Sequence, residues 1–392
     1  MTYDEKYMLS VLRLAAQGLG KVEPNPAVGA VIVKSSQVIG KGWHKKFGGP
    51  HAEINALADC KKKGGNPKGA TMYVTLEPCC HYGKTGPCTD VLIKAKLERI
   101  VVATIDPSKH ANGKGIRLLR KAGIKVDVGL CRDEARILNA PFMKFAKTAK
   151  PWITIKWAQS ADGYLAHTDK KRWITGSKSR KDAHNLRRQA DAILVGINTV
   201  LKDDPLLTPR PSHGKKPLRI VLDSRLRIPL NSKLLATAKK FPVLIVSADS
   251  VLKTKKAKQI IGRGVQLLGC PATRSNLKYL LGQLSRRGIR HILVEGGPAV
   301  IGSFLKANLA DEIIVYIAPE ILGSKGAADI EVGLKGTENL HLNFLNINRI
   351  GNDVKISLLT NEGLKSSGIV RDYYEKNRSL RPCDNPENQT GR

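Results

Sequence analysis

Apolar residues recur at helical spacing from Tyr3 to Gln17, closing near Gly18 and Gly20, and the pattern then changes to short strand-like runs. Ala27 to Val33 and Gln37 to Trp43 flank the polar pair Ser35-Ser36, which predicts a hairpin. Helix and strand patterns alternate from there. Helices are expected at about Ala52 to Cys60, after Pro87, near Ile116 to Ala122 and from Asp133 to about Lys147. Strands are expected at Thr71 to Leu76, Arg99 to Ile105 and Lys125 to Val128. Such alternation predicts an α/β sandwich on a largely parallel sheet. Lys150-Pro151 ends the series, because proline disfavours a helical conformation in the residue before it. A first domain over 1–147 follows.

A second series begins at Trp152 to Trp157. Further strand-like runs lie at Ala192 to Val195, Arg219 to Leu222, Pro242 to Val246, Val265 to Leu268, His291 to Glu295 and Ile313 to Ile317. Phe344 to Ile350 and Asp353 to Leu359 read as an edge hairpin turning at Gly351-Asn352. This gives a second domain over 148–362. The polar remainder, Gly363 to Arg392, is expected to be flexible or loosely packed. Two domains also suit a length of 392 residues.

The composition, 42% hydrophobic and 25% charged, is that of an ordinary globular chain. No apolar run approaches the roughly 20 residues needed to span a bilayer, which excludes a membrane-spanning reading. Asp4 and Glu5 in an amphipathic first segment do not fit a signal peptide, and the expected compartment is the cytoplasm. The charge changes the picture more: 66 Lys and Arg face 33 Asp and Glu, a formal net of +33. Such a balance invites a nucleic-acid reading. The excess is spread over both halves, however, with no basic arm, and only 5% of residues are aromatic and available for base stacking.

Seven cysteines are a poor basis for disulfides in a cytosolic chain, and Cys79, Cys80 and Cys88 fall within ten residues. With His51-Ala52-Glu53 upstream they suggest a metal. One imidazole and two thiolates fill three positions of a tetrahedral zinc and leave the fourth open for water, the catalytic arrangement. Zinc lowers the pKa of that water towards neutrality. Glu53, two residues from the histidine and at the start of a helix, is placed to carry the proton from water to a leaving amine, as in zinc nucleobase deaminases. Four candidate donors crowd the loop (Cys79, Cys80, His81, Cys88), so a closed four-ligand structural site is an alternative. Cys88 at a helix start favours thiolate and Cys79 directly follows a strand and Glu77-Pro78, which selects His51, Cys79 and Cys88.

Eight residues separate Cys79 from Cys88, in contrast to the C-x-x-C of the generic signature. With His51-Ala52-Glu53 and the run Glu77 to Asp90, this segment resembles the deaminase half of the bacterial bifunctional riboflavin-biosynthesis deaminase/reductase family. Cys80 stands where that family often has Ser. Pro24-Asn25-Pro26-Ala27-Val28-Gly29, His44, and Asp106-Pro107 with Gly113-Lys114-Gly115 match its other motifs. The resemblance implies a cytidine-deaminase-like three-layer domain whose pocket is lined by Asn25, His44, His81, Lys84 and Asp106, holding a small phosphorylated pyrimidine.

The second half lacks both a P-loop and a G-x-G-x-x-G fingerprint. It has an apolar strand ending in Glu295-Gly296-Gly297 before a helix, a turn that can bring backbone N–H groups to a phosphate. Runs around Lys156, Thr175, His184 to Arg187, Gly196 to Thr199 and Asp203 to Arg210 follow the order of the same family's reductase half. That resemblance covers roughly residues 1–360 and implies a dihydrofolate-reductase-like α/β domain using NADPH. By the same similarity Lys156, Thr175, Arg187, Asp203, Arg210 and Glu295 face substrate, the arginines holding phosphate and Lys156 and Glu295 orienting the sugar. Arg188 is an alternative to Arg187. Gly196, Asn198, Thr199, Gly296 and Gly297 would contact the cofactor, with Ser224 and Arg225 reading its 2′-phosphate. The implied function is deamination of a diaminopyrimidinone ribosylamino phosphate followed by reduction of its ribosyl group, in a homo-oligomer binding neither nucleic acid nor membrane. A zinc-dependent nucleic-acid base deaminase, motivated by the +33, is the competing reading; beside two small-molecule sites the charge is instead background with modest steering of phosphorylated ligands.

Overall fold

The computed structural model describes residues 1–369 apart from 83–85, 169–172, 212–213, 272–276 and 339. Its first domain is a five-stranded sheet between two helical layers. The strands are β1 (Gly29–Lys34), β2 (Gln37–Trp43), β3 (Thr71–Val74), β4 (Arg99–Val102) and β5 (Lys125–Val128). The helices are α1 (Tyr3–Ala16), α2 (Ala52–Lys62), α3 (Cys88–Lys94), α4 (Lys114–Lys121), α5 (Arg132–Leu138) and α6 (Ala140–Thr148). In the order β2-β1-β3-β4-β5, β1 is antiparallel to both neighbours and β3, β4 and β5 are parallel.

Period-two alternation along the strands feeds two cores. Ile32, Met72 and Val74 pack under α2, α3 and α4, while Val31, Val33 and Tyr73 meet α1 and α5. α1 begins with a capping box in which Thr2 accepts the Glu5 N–H and the Glu5 carboxylate accepts the Thr2 N–H. β2 lies so close to α2 that a Cβ on Gly42 would fall 2.4 Å from the Ala56 nitrogen, and that contact fixes the helix start carrying Glu53.

The second domain is built on nine strands in the order β11-β10-β9-β8-β12-β6-β13-β16-β15. These are β6 (Trp152–Ser160), β8 (Ala192–Gly196), β9 (Leu218–Leu222), β10 (Val243–Ala248), β11 (Gln266–Cys270), β12 (His291–Val294), β13 (Glu312–Ala318), β15 (Leu342–Ile350) and β16 (Asp353–Thr360). All pairings from β11 to β13 are parallel, and the β15–β16 hairpin closes one edge antiparallel, as the sequence predicts. Its helices are α7 (Ser177–Gln189), α8 (Ile197–Asp203), α9 (Lys233–Ala236), α10 (Lys255–Gly262), α11 (Leu277–Arg286), α12 (Pro298–Lys306), α13 (Glu331–Leu334) and α14 (Asn361–Ser367). A separate two-stranded sheet pairs β7 (Tyr164–His167) with β14 (Gly326–Asp329), and nothing in the hydrophobic pattern announces it.

Two expectations need correction. The helix predicted from Asp133 to Lys147 is two helices, because Asn139 between them turns its side chain to the Ala27 backbone, accepting at 2.8 Å and donating at 2.9 Å. The segment from Gly363 is not loosely packed at its start: Gly363, Leu364, Ser366 and Ser367 are buried in α14. Ser366 donates to Asp311, and Asp311 receives the Lys144 ammonium at 2.7 and 2.8 Å. α14 and α6 thus close over a buried ion pair joining the domains. The rest of the expected tail, 370–392, lies outside the described residues. Among the described residues no helix is long and apolar enough to cross a membrane.

Candidate active sites

The first site forms where β3 and the N-termini of α2 and α3 converge. His51 precedes α2 in extended conformation and Cys88 is the first residue of α3. Cys79 lies in the loop after β3, and its Sγ accepts the Cys88 backbone N–H at 3.3 Å. His51 Nδ1 stands 3.2 Å from Cys88 Sγ and 3.4 Å from Cys79 Sγ. These three donor atoms lie within 4.8 Å of one another, a spacing that one ion with bonds of about 2.0–2.3 Å can bridge. Cys80 turns away, its thiol 3.7 Å from the His110 carbonyl, and neither it nor His81 joins the cluster.

The electrostatics suit a cation. The Cys88 thiol beside it, aided by His51, brings Cys79 down to about 4, and Cys88 is pushed up by that same contact. Glu53 is buried at 3% exposure. Desolvation, with Cys79 nearby, holds its carboxyl above the usual range. Both line a cavity of about 370 Å³ that also takes in Asn25, His44, His81 and Asp106. His44 Nδ1 donates to the Pro50 carbonyl at 3.0 Å, which leaves Nε2 to accept from Asn25 Nδ2 at 3.2 Å. Burial lowers the His44 pKa, which keeps this pair neutral and directional. Lys84, expected here, lies outside the described residues.

Two residues of this site escape a sequence reading. Glu77 collects backbone N–H groups from Asp106, Gly113 and Gly115 at 3.2, 2.9 and 2.9 Å, tying the loop after β4 to the start of α4. A Cβ on Gly115 would sit 2.2 Å from the Pro78 carbonyl oxygen, so only glycine fits there. Arg290, from the second domain, also lines the cavity. No local pattern could have placed it there, since the contact spans 266 residues.

The second site lies at the carboxyl ends of the adjacent parallel strands β9, β8, β12 and β6, where α/β sheets bind ligands. Gly196 ends β8 and caps α8, while Glu295, Gly296 and Gly297 link β12 to α12. Neither helix has a side-chain cap, so the first-turn N–H groups are open to an anion. Ser224 and Arg225 follow β9. Asn198 accepts from Arg227 at 2.7 Å, and Thr199 is one residue on in α8.

Arg187 binds Glu295 through Nε at 2.9 Å and Nη2 at 2.6 Å, and Lys156 on β6 lies 4.0 Å from the same carboxylate. Burial opposes ionisation of Glu295, but Arg187 and Lys156 outweigh it and its pKa falls. Burial also lowers the Lys156 pKa. Arg188 reaches instead to the Arg210 carbonyl. Thr175 is buried, its carbonyl accepting from Arg180, and Asp203 ends α8. Three residues here have no sequence signal. Asp182 accepts the Tyr316 hydroxyl at 2.6 Å and the Lys355 ammonium at 2.7 Å, and the Tyr316 ring lies 5.5 Å from Lys156.

Comparison with known proteins matches both halves. Residues 1–104 fit the cytidine and deoxycytidylate deaminase zinc-binding region, and residues 151–356 fit the RibD C-terminal domain. The riboflavin biosynthesis protein RibD of Aquifex aeolicus is 46% identical over 357 residues, covering 90% of this chain and 97% of that protein. RibD of Actinobacillus pleuropneumoniae is 39% identical, covering 94% and 95%. Among solved structures, a diaminohydroxyphosphoribosylaminopyrimidine deaminase/5-amino-6-(5-phosphoribosylamino)uracil reductase from Thermotoga maritima is 32% identical, covering 91% of this chain and 99% of that one at a TM-score of 0.77. Acinetobacter baumannii RibD is 35% identical with a TM-score of 0.75, covering 92% and 99%.

Proposed function

The chain belongs to the RibD family of riboflavin biosynthesis, and from that premise we propose how its residues divide the two reactions. It is a bifunctional enzyme: a zinc-dependent domain deaminates 2,5-diamino-6-(5-phosphoribosylamino)pyrimidin-4-one, and an NADPH-dependent domain reduces the ribosyl group to ribityl. The observation that carries the assignment is the His51, Cys79 and Cys88 cluster beside buried Glu53 in one cavity.

In the first domain His51, Cys79 and Cys88 would hold the zinc; two soft thiolates and an imidazole form a donor set that suits this metal. When bound, zinc supplies Lewis acidity that brings the pKa of water near neutrality. Glu53 takes the proton of the attacking water and returns it to the departing ammonia, and its raised pKa suits it to both acts. Asn25 and His44 orient the ring edges, with His81, Lys84 and Asp106 completing the pocket. In the second domain Gly196, Asn198, Thr199, Gly296 and Gly297 would seat the cofactor at the two uncapped helix starts, and Ser224 and Arg225 would read its 2′-phosphate. When bound, NADPH would supply the hydride for reduction of the ribosyl group. Lys156 and Glu295 orient the sugar, Thr175 and Asp203 lie beside it, and Arg210 binds the substrate phosphate. Arg187 acts mainly by fixing Glu295.

The reaction belongs in the cytoplasm, in keeping with six free cysteines among the described residues. A homo-oligomer is supported by the exposed apolar residues Phe344 and Ile347 on edge strand β15. Supplying the diaminopyrimidine phosphate to purified, zinc-replete protein tests the reading. Ammonia should appear without NADPH, and NADPH should be consumed only once ammonia is released; consumption without ammonia release would contradict the order.

A further inference from the structure

The Asn25 turn is held from both domains. On its carboxyl side, Asn139 of the first domain grips Ala27 through both amide atoms. On its amino side the second domain does the gripping. Arg290, in the loop between α11 and β12, donates through Nη1 to the Pro24 carbonyl, one residue before Asn25. Lys215 lies 3.9 Å from Glu23 and 2.7 Å from Asp191. Asp191 in turn accepts the backbone N–H groups of Arg290 and His291 at 2.8 and 2.9 Å. Glu23, Lys215, Asp191, Arg290 and Pro24 thus form a chain of polar contacts that leaves the first domain and returns to it immediately before Asn25.

The side chain of Arg290 is itself located by its surroundings. Its guanidinium stands 4.9 Å from the centre of the Phe145 ring on α6. Among the described residues its buried Nε has no hydrogen-bond partner, so the group is held there by stacking and by the Pro24 contact. It lines both the deaminase cavity and an adjoining interdomain cavity of about 200 Å³, as do Pro24, Asn25, Pro26 and Phe142. The wall between the two cavities is therefore the turn that carries Asn25.

We infer that Arg290 of the reductase domain is a positioning residue for the deaminase, setting Asn25 against His44 through the Pro24 carbonyl. The inference rests on the proposed deaminase site. Asn25 has one hydrogen-bonding geometry with His44, and a backbone free to shift by an ångström would spoil ring recognition while leaving in place the metal cluster and Glu53, which are carried by the starts of α2 and α3 and the loop after β3. The reductase domain is thereby part of the deaminase, and Km is the kinetic constant it controls.

The test is steady-state kinetics on full-length Arg290→Ala, Arg290→Lys, Asn25→Ala and the double variant Arg290→Ala/Asn25→Ala, with ammonia release and NADPH oxidation measured separately. Arg290→Ala should raise the deamination Km about tenfold with kcat within about threefold of wild type, leaving zinc content and reduction of supplied intermediate unchanged. Arg290→Lys, which restores one donor, should recover part of the loss. In the Asn25→Ala background the Arg290 change should have no further effect, because both act through one contact. An unchanged Km in Arg290→Ala, an equal loss in both backgrounds, or parallel loss of the reductase would overturn the inference and leave Arg290 a domain-docking residue at most. If Arg290→Ala fails to fold, Arg290→Lys decides: a wild-type Km there overturns the inference, and a raised Km with intact reduction supports it. Absence of ammonia release from the wild-type protein would instead refute the deaminase reading beneath it.

Discussion

Arg187 clasps Glu295 with two nitrogens, at 2.6 and 2.9 Å, in a part of the reductase domain where the carboxylate is almost wholly removed from water. The guanidinium is the closest charge to Glu295, nearer than Lys156 at 4.0 Å, and it keeps the carboxyl ionised against the effect of burial. Arg187→Ala should therefore let the Glu295 carboxyl protonate more readily. Reductase kcat/Km should fall about 10- to 100-fold, the usual cost of a lost charged hydrogen bond, with deamination unaffected. NADPH oxidation on supplied intermediate measures it, and a variant reducing at the wild-type rate contradicts the assignment.

Lys156 gives the reductase a pH signature. Burial lowers its pKa, Glu295 opposing and Arg187 adding to the shift. As pH rises through that lowered value the ammonium loses its proton, so reduction should decline on the alkaline side at a pH below the ordinary lysine range. Lys156→Arg, which stays protonated, should lack that limb whatever rate it retains. A profile flat through the lysine range in the wild-type protein would show that this proton is not needed.

The metal prediction follows from the donor cluster. Cys79→Ser and Cys88→Ser should each lower zinc content well below one ion per chain and abolish ammonia release, whereas Cys80→Ser should keep both. Removing zinc with a chelator should silence deamination and spare NADPH oxidation on supplied intermediate. Zinc analysis beside the two rates checks each point; zinc loss in Cys80→Ser would move the ligand set.

Most of this chemistry is legible in the sequence because its residues come in compact runs. His51 and Glu53 are two apart at a helix start, and Cys79 and Cys88 stand at either end of one short segment that leads into α3. The hairpin of β15 and β16 is legible for the same reason, since a turn at Gly351-Asn352 joins two alternating runs. Contacts between distant segments are not. Asp182 meets Lys355 across 173 residues, and Arg290 meets Pro24 across 266. The helix break at Asn139 is hidden for the same reason, since its cause is the Ala27 backbone 112 residues earlier. Polarity misleads at Gly363 to Ser367, where small polar residues close over a buried ion pair and find their partners inside.

That ion pair predicts how the domains stay together. Lys144→Met leaves the Asp311 carboxylate buried with its backbone and Ser366 partners but no counter-charge. The loss should be about 3–5 kcal/mol, read as a lower midpoint in denaturant unfolding. Because neither residue lines the deaminase cavity and the pair's further side-chain partners are Ile153 and Ser366 rather than the reductase candidates, the surviving folded fraction should retain both activities. A variant as stable as the wild type would show that the pair contributes little to docking.

Two separate sites act in turn on one substrate. Glu53→Gln tests it most directly, because Glu53 is buried beside the donor cluster and holds no part of the reductase crevice. Ammonia release from the diaminopyrimidine phosphate should fall by a factor of about 10² to 10⁴ at unchanged zinc content, while NADPH oxidation on supplied deaminated intermediate proceeds at the wild-type rate. Loss of both activities in the folded, zinc-replete variant, or deamination persisting at the wild-type rate, would contradict the account.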